Sequence, residues 1–370
     1  MKRVLIYRTD LLPISETFIK AQAEALQGFQ PRYIGMCRTQ KSLEIPSDAI
    51  LLAGLPSVAT RIRKRLYWTT GLAPRFYHRA VSFQPDLVHA HFGPDGITAM
   101  RIADAVRRPL IVTLHGYDVS LPRMSSIYPA LWKRASIFLC VSSFIRKKAI
   151  QAGFPEEKLR VHYIGIDGDK FQPALTSPRP DTVLFVSRLV QKKGCEYLLR
   201  AMSIVQQSRP ATELTVIGDG VLRQELEELA RSLNIRCRFL GSQPSDAVRE
   251  ALQSARLFCV PSVTAKNGDS EGLGMVFAEA QAMGVPVVSF AHGGIPEVVQ
   301  DGRTGFLAPE YDHAKLADGI LRYLVDDDFW QQSRVRGIAW IQKRFDLATQ
   351  TAELEEIYNN VIAEYKLRIA

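Results

Sequence analysis

Glu271 and Glu279 sit eight positions apart in Glu271-Gly272-Leu273-Gly274-Met275-Val276-Phe277-Ala278-Glu279. The first ends a loop rich in Gly, Asp and Ser over residues 267–272. The pattern predicts a helix from near Gly274, with Glu279 about two turns in. One carboxylate on a loop and another on a helix can meet one extended ligand at two points. Between them the N–H groups of Gly272, Leu273, Gly274 and the next two residues are expected to face outward, an arrangement that favours phosphate. Carboxylates accept hydrogen bonds from ribose or sugar hydroxyls, so the pair suits a nucleotide sugar. The plain alternative is an exposed helix with two ordinary acidic residues. The coincidence of loop, helix start and glutamate pair favours a site.

This segment resembles the signature of retaining GT-B glycosyltransferases, in particular the large family 4 that uses nucleotide-activated sugars. Further segments match in order: Ser187-Arg188-Leu189-Val190-Gln191-Lys192-Lys193-Gly194, Val216-Ile217-Gly218-Asp219-Gly220 and Phe239-Leu240-Gly241. Ala291-His292-Gly293-Gly294-Ile295-Pro296-Glu297 and Asp301-Gly302-Arg303-Thr304-Gly305-Phe306-Leu307 complete the series. The resemblance is dense from Val183 to Pro309 and thinner before, where Thr113-Leu114-His115-Gly116-Tyr117-Asp118 is its clearest point.

The resemblance implies that Arg188 and Lys193 grip the diphosphate, with Gly218 and Gly241 in the turns beside it. It implies that His115 contacts the donor sugar, with Asp118 positioning it. Glu279 is expected on the nucleotide ribose and Glu271 near the reacting centre. Negative charge developing on a leaving nucleoside diphosphate is the chief electrostatic problem of glycosyl transfer, and fixed cations answer it. Lys192 reads as a plain surface lysine. His89 and His91 alternate on a strand and share a face; they read as structural histidines, without an evident third metal ligand. No metal or cofactor is expected beyond the donor itself.

The chain of 370 residues is long enough for two domains, and its composition is that of a soluble protein. No apolar run is long enough to span a bilayer. Met1-Lys2-Arg3 precedes a short apolar run that Arg8 ends, which reads as a first strand and not a signal peptide. The cysteines at 37, 140, 195, 237 and 259 are scattered, as free thiols of a reducing cytoplasm would be. Residues 1–170 carry 25 Lys and Arg against 13 Asp and Glu, a balance of +12; residues 171–370 carry 22 against 25. A basic first half can meet an anionic membrane or nucleic acid. No nucleic-acid motif is present. In Arg61-Ile62-Arg63-Lys64-Arg65-Leu66-Tyr67-Trp68, cations precede an aromatic pair, which suits a headgroup boundary as well as a solvated helix face. Asp167-Gly168-Asp169 mimics a metal-binding pattern but lies in the expected hinge.

Short apolar runs alternate with helical patterns, giving α/β architecture with parallel sheets. Strands are expected at residues 4–7, 31–36, 86–90, 110–114 and 138–141, then at 182–187, 213–217, 238–240, 257–260 and 287–290. Helices are expected at 16–26, capped by Ser15, and at 222–233. Prolines 173, 178 and 180 place a linker over residues 168–180. The organisation is thus GT-B: an acceptor-side Rossmann-like domain over 1–168, a nucleotide-sugar domain over 169–348 and a helix over 349–370 that, by resemblance, packs back on the first domain. The two sheets are expected to face each other across a cleft. Ligands then belong at the carboxyl ends of the strands, where His115, Arg188 and Gly218 fall. One departure is the first loop, Arg8-Thr9-Asp10-Leu11-Leu12-Pro13-Ile14-Ser15-Glu16-Thr17, where many relatives carry a glycine pair. Ser15, Glu16 and Thr17 either replace it or form a helix cap.

The expected activity is retaining transfer, in the cytoplasm at the inner face of the membrane, from a nucleotide-diphosphate sugar to a saccharide or polyprenyl-diphosphate-linked saccharide in bacterial cell-surface polysaccharide assembly. A sugar-nucleotide epimerase of the same fold, or a silent carbohydrate- or lipid-binding relative, remains the alternative.

Overall fold

The computed structural model describes residues 1–39, 42–54, 57–120, 126–173 and 179–369. They divide into two compact units, Met1–Gly165 with Leu347–Ala370, and Ile166–Asp346. The second unit thus begins a few residues before the proline-bearing stretch, of which 174–178, with Pro178, lie outside the described residues. Its two ends lie side by side: the Ile166 N–H donates to the Phe345 carbonyl at 2.6 Å. In Asp167-Gly168-Asp169 the Asp167 carboxylate accepts the N–H groups of Asp169 and Lys170 at 3.0 and 3.2 Å, so it closes a turn.

The first unit holds a parallel sheet in the order Ile50–Leu51, Phe29–Gly35, Lys2–Tyr7, Leu87–His91, Leu110–Leu114, Ile137–Cys140, Leu159–Val161. Its central strands are buried along their whole length, so they read as continuous apolar runs. The helix Leu347–Ile369 belongs to this unit. Its Leu354, Ile357, Tyr358, Val361 and Ile362 join one core with Val4, Ile6, Phe29 and Leu87. Polar bonds fix its register: the Tyr358 hydroxyl lies 2.6 Å from His89 Nδ1, and Glu355 accepts the N–H groups of Gln27 and Gly28 at 2.7 Å.

The second unit holds a parallel sheet in the order Cys237–Phe239, Glu213–Ile217, Thr182–Val186, Leu257–Cys259, Val287–Phe290, Gly305–Ala308. In both sheets the order reverses beside the first strand of the unit, the place where open α/β sheets bind ligands. Each unit is Rossmann-like, and the chain has the GT-B architecture.

Two expectations are corrected. The helix Thr17–Glu24 takes Glu16, not Ser15, at its N-cap position, and no side chain caps it, because Glu16 is engaged by Arg8. In the basic helix Val58–Thr70, Trp68 is exposed but Tyr67 is buried against Phe76, edge to face at 6.0 Å. Lys64 is likewise held, 2.8 Å from Asp10.

Candidate active site

Two parallel strands of the second unit deliver the principal pair. Thr182–Val186 runs into Arg188 and the tight turn Gln191–Lys193, and Leu257–Cys259 runs into the loop that ends at Glu271. The Lys193 ammonium donates to Glu271 Oε2, and both residues are buried. The Ser262 hydroxyl donates to the same oxygen at 3.4 Å. Burial alone would raise the Glu271 pKa; Lys193 and then Lys192 outweigh it and hold the carboxylate at about 2. Lys192, expected as a plain surface lysine, is half-buried and pairs with Asp269 at 3.0 Å.

The Glu271 loop is clamped from behind. His292 Nε2 accepts the Glu271 N–H at 3.3 Å, and its Nδ1 lies 3.2 Å from the Glu310 carboxylate. Accepting at Nε2 requires the proton on Nδ1, which donates to Glu310. Burial lowers the His292 pKa, in keeping with a neutral ring. Gly293 adopts φ +58°, and a Cβ there would sit 2.3 Å from the Glu271 carbonyl oxygen. That close approach accounts for the glycine pair 293–294 in physical terms.

Glu279 lies just over one turn into the helix Met275–Ala282, closer to its start than the expected two turns, with Gly274 at φ +83° as the cap residue. Its carboxylate makes no hydrogen bond or ion pair among the described residues. Burial pushes its pKa up to about 7, opposed by Lys170. Arg188 is exposed, and its guanidinium makes no such contact either among the described residues. Gly218, at φ +137°, would place a Cβ 1.8 Å from the Ser187 carbonyl oxygen, and its N–H donates to the Gly241 carbonyl at 2.8 Å. The turns carrying Arg188, Gly218 and Gly241 are therefore interlocked. Gly272 and Leu273 are buried between Glu271 and the helix start. A polar ligand here would find a free guanidinium, a free carboxylate and a buried lysine–glutamate pair on one sheet edge.

In the first unit His115 follows the strand Leu110–Leu114. The Asp118 carboxylate accepts the N–H groups of His115, Gly116 and Gly93 at 3.0, 2.7 and 3.2 Å, which fixes the turn. His115 Nε2 lies 3.1 Å from His91 Nδ1, and its ring meets Phe92 at 4.3 Å. Burial pushes the His115 pKa well down, so the ring is a neutral hydrogen-bonding group. His89 is satisfied by Tyr358 and by Thr113 at 2.7 Å, and burial lowers its pKa to about 3.

Sequence reasoning missed a buried cluster beside His115. Arg8 donates through Nε and Nη2 to Glu16 and through Nη1 to Asp95. The Thr9 N–H donates to the same Asp95 oxygen at 3.0 Å. Its only sequence signal was the charge of Arg8 at the end of an apolar strand. The two acids stand 8 and 87 positions away, where no spacing rule connects them.

These features define a GT-B protein with a cluster of charged residues at the carboxyl edge of its second sheet. The model for glycosyl transferases group 1 matches residues 168–338, and that for glycosyltransferase family 4 matches residues 16–170. The chain is 30% identical over 290 residues to the WcaL glycosyltransferase assigned to colanic acid biosynthesis in Salmonella typhimurium, covering 75% of this chain and 71% of that one. It is 33% identical over 250 residues to the amylovoran biosynthesis glycosyltransferase AmsK of Erwinia amylovora, covering 65% and 61%. It thus spans less than two thirds of the length of AmsK. HepE of Anabaena, solved with UDP and glucose, superposes with TM-score 0.79 at 22% identity over 97% of this chain and all of that one. The chain belongs to the group 1, family 4 glycosyltransferases.

Proposed function

We propose that this protein transfers a sugar from a nucleotide-diphosphate donor to a saccharide acceptor in bacterial cell-surface polysaccharide assembly, with retention of anomeric configuration. The observation that carries the reading is the buried Lys193–Glu271 pair on the same sheet edge as the unpaired Arg188 and Glu279. Arg188 and Lys193 take the diphosphate and offset the charge that develops as it leaves. Glu279 accepts the ribose hydroxyls, and Glu271 and His115 meet the sugar. HepE was crystallised with UDP and glucose, and two relatives carry names in exopolysaccharide biosynthesis; both support this class of donor and pathway.

The protein works in the cytoplasm, and the acceptor is polyprenyl-linked and met at the inner leaflet, which suits the basic first half. No helix among the described residues is long and apolar enough to cross a membrane. Catalysis proceeds without a divalent ion, since cations and a helix N-terminus already answer the diphosphate. Thermal shift with UDP-, GDP- and ADP-sugars tests the reading: one base and sugar should stabilise the protein strongly, by mass action on the folded state. A flat response to every nucleotide sugar would overturn it.

A further inference from the structure

We propose that Glu310 is a positioning residue for the transfer: through His292 it fixes the backbone of Glu271 where that carboxylate meets the sugar. The inference rests on the transferase reading above and adds a residue that reaches the reaction only through another. Glu271 lies in a stretch, Val260 to Gly274, that forms neither helix nor strand. A carboxylate on irregular backbone needs support from elsewhere, since a shift of about 1 Å at a reacting centre can cost roughly a hundredfold in rate.

Glu310 supplies that support at two points of the loop. Its Oε1 accepts the Thr264 N–H at 2.6 Å. Its Oε2 lies 3.2 Å from His292 Nδ1, and His292 Nε2 accepts the Glu271 N–H at 3.3 Å. One side chain thus governs the N–H groups of both Thr264 and Glu271. Beside it the Tyr311 hydroxyl donates to the Thr264 carbonyl at 3.2 Å, and the Tyr311 ring meets Tyr197 edge to face at 5.6 Å. Tyr311 adopts φ +70°, a left-handed conformation that is costly for a bulky residue and persists only where neighbours hold it. The Glu310-Tyr311 pair therefore engages both polar groups of the Thr264 backbone.

The arrangement needs a carboxylate. Both partners of Glu310 are donors, and a carboxylate can accept at both of its oxygens. Burial would raise the Glu310 pKa; the Thr264 N–H and His292 outweigh it and hold the group below the usual carboxylate value. With Nδ1 donating to Glu310, the neutral ring keeps its lone pair on Nε2, the atom that faces the Glu271 N–H. An amide at position 310 has one acceptor oxygen for two donors. The shorter bond, to Thr264, keeps that oxygen, and the amide NH₂ then faces Nδ1. The ring proton moves to Nε2, where it opposes the Glu271 N–H and leaves that group without its acceptor. A plain packing role predicts the opposite, because an amide of the same shape would leave the loop as it is.

The test compares Glu310→Gln and Glu310→Asp with wild type on the full chain. Long-range ¹H–¹⁵N NMR of the imidazole rings reads the His292 tautomer, with His292→Gln to assign the signal. Wild type should carry the proton on Nδ1, and Glu310→Gln should carry it on Nε2. Release of nucleoside diphosphate from UDP-glucose, GDP-mannose or ADP-glucose, with water as acceptor, should fall roughly ten- to hundredfold in kcat in Glu310→Gln. Affinity for UDP, GDP or ADP by calorimetry should be unchanged. Glu310→Asp keeps two acceptor oxygens and should hold the Nδ1 tautomer with a smaller loss of kcat. A wild-type proton on Nε2, an unmoved proton in Glu310→Gln, or full kcat in that variant overturns the inference alone. So does a loss of nucleotide affinity as large as the loss of kcat. The tautomer needs no donor, so it decides the inference even in a wild type that binds nucleotide without cleaving it. A wild type that binds none of the three nucleotides overturns the transferase reading, and the inference falls with it.

Discussion

Lys193 and Glu271, 78 residues apart, form a buried ion pair that joins the turn after one central strand to the loop after its neighbour. The two groups assigned here to diphosphate and sugar are thus one electrostatic unit. Glu271 stays ionised down to about pH 2 because of Lys193 and Lys192. A change that draws Lys193 away would leave the buried Glu271 carboxylate without its main partner.

Lys193→Ala and Arg188→Ala should each lower turnover roughly 10²- to 10³-fold, the range for one preorganised electrostatic contact. Their structural effects should differ. Lys193→Ala leaves Glu271 buried without its main partner, so it should also lower Tm. Arg188 is exposed, and its removal should leave the melt unchanged. Steady-state kinetics and thermal melts of both variants decide this; normal turnover in both, with the fold intact, refutes the assigned role.

The two glutamates should separate by assay. Glu279→Gln should weaken binding of the free nucleoside diphosphate, whereas Glu271→Gln should reduce turnover far more than that affinity. Calorimetry with the nucleoside diphosphate alone is the measurement. Equal losses of affinity would erase the distinction.

The pH dependence of Glu279 has a definite sign. Its folded pKa of about 7 lies above the ordinary carboxylate value because the group is buried. The protonated form therefore stabilises the fold below about pH 4.5, and that contribution is lost as pH rises through 7. Glu279→Gln should melt higher than wild type at pH 8, by at most about 3 kcal/mol in stability, and show no such advantage at pH 5. Binding runs the other way, since ribose hydroxyls donate to the ionised form: affinity for UDP or GDP should rise up to roughly tenfold between pH 6 and 8, and Glu279→Gln should lose that part of the rise.

Much of both sheets was legible because buried parallel strands are unbroken apolar runs bounded by glycine turns. The strands at 110–114, 213–217 and 287–290 coincide with expectation residue for residue. The edge strands Ile50–Leu51, Leu159–Val161 and Gly305–Ala308 were not anticipated, being too short to carry a period. Glycines 218 and 293 pointed to the site because close backbone approach requires them. The Arg8–Glu16–Asp95 cluster and the His292–Glu310 clamp stayed hidden. Their members come from separate turns that only the folded sheets bring together, and a lone buried charge has no periodicity.

On the proposed reading, in which Arg188, Lys193 and the helix start at Gly274 face the diphosphate, turnover should survive EDTA without change. Activity measured before and after chelation, then with Mg²⁺ or Mn²⁺ restored, checks this. Full and reversible loss would show that the diphosphate needs a metal.

The last expectation concerns the helix Val58–Thr70. Ser57 caps it by accepting the Thr60 N–H at 3.1 Å. Val58, Ile62 and Leu66 repeat every four residues on one exposed face, and Trp68 stands 54% exposed nearby. Arg61, Arg63 and Arg65 are exposed on the same helix, while Lys64 is engaged by Asp10. Apolar side chains flanked by cations fit the boundary of an anionic bilayer, which attracts each nearby Lys or Arg by about 1 kcal/mol. Reversing Arg61, Arg63 and Arg65 to Glu should therefore abolish co-sedimentation with anionic vesicles and leave donor binding intact. Raising salt from low to moderate should weaken wild-type binding as well, since such attraction is screened over about 10 Å at 0.1 M. If wild type ignores anionic vesicles even at low salt, the helix is a solvated face and the acceptor arrives from solution.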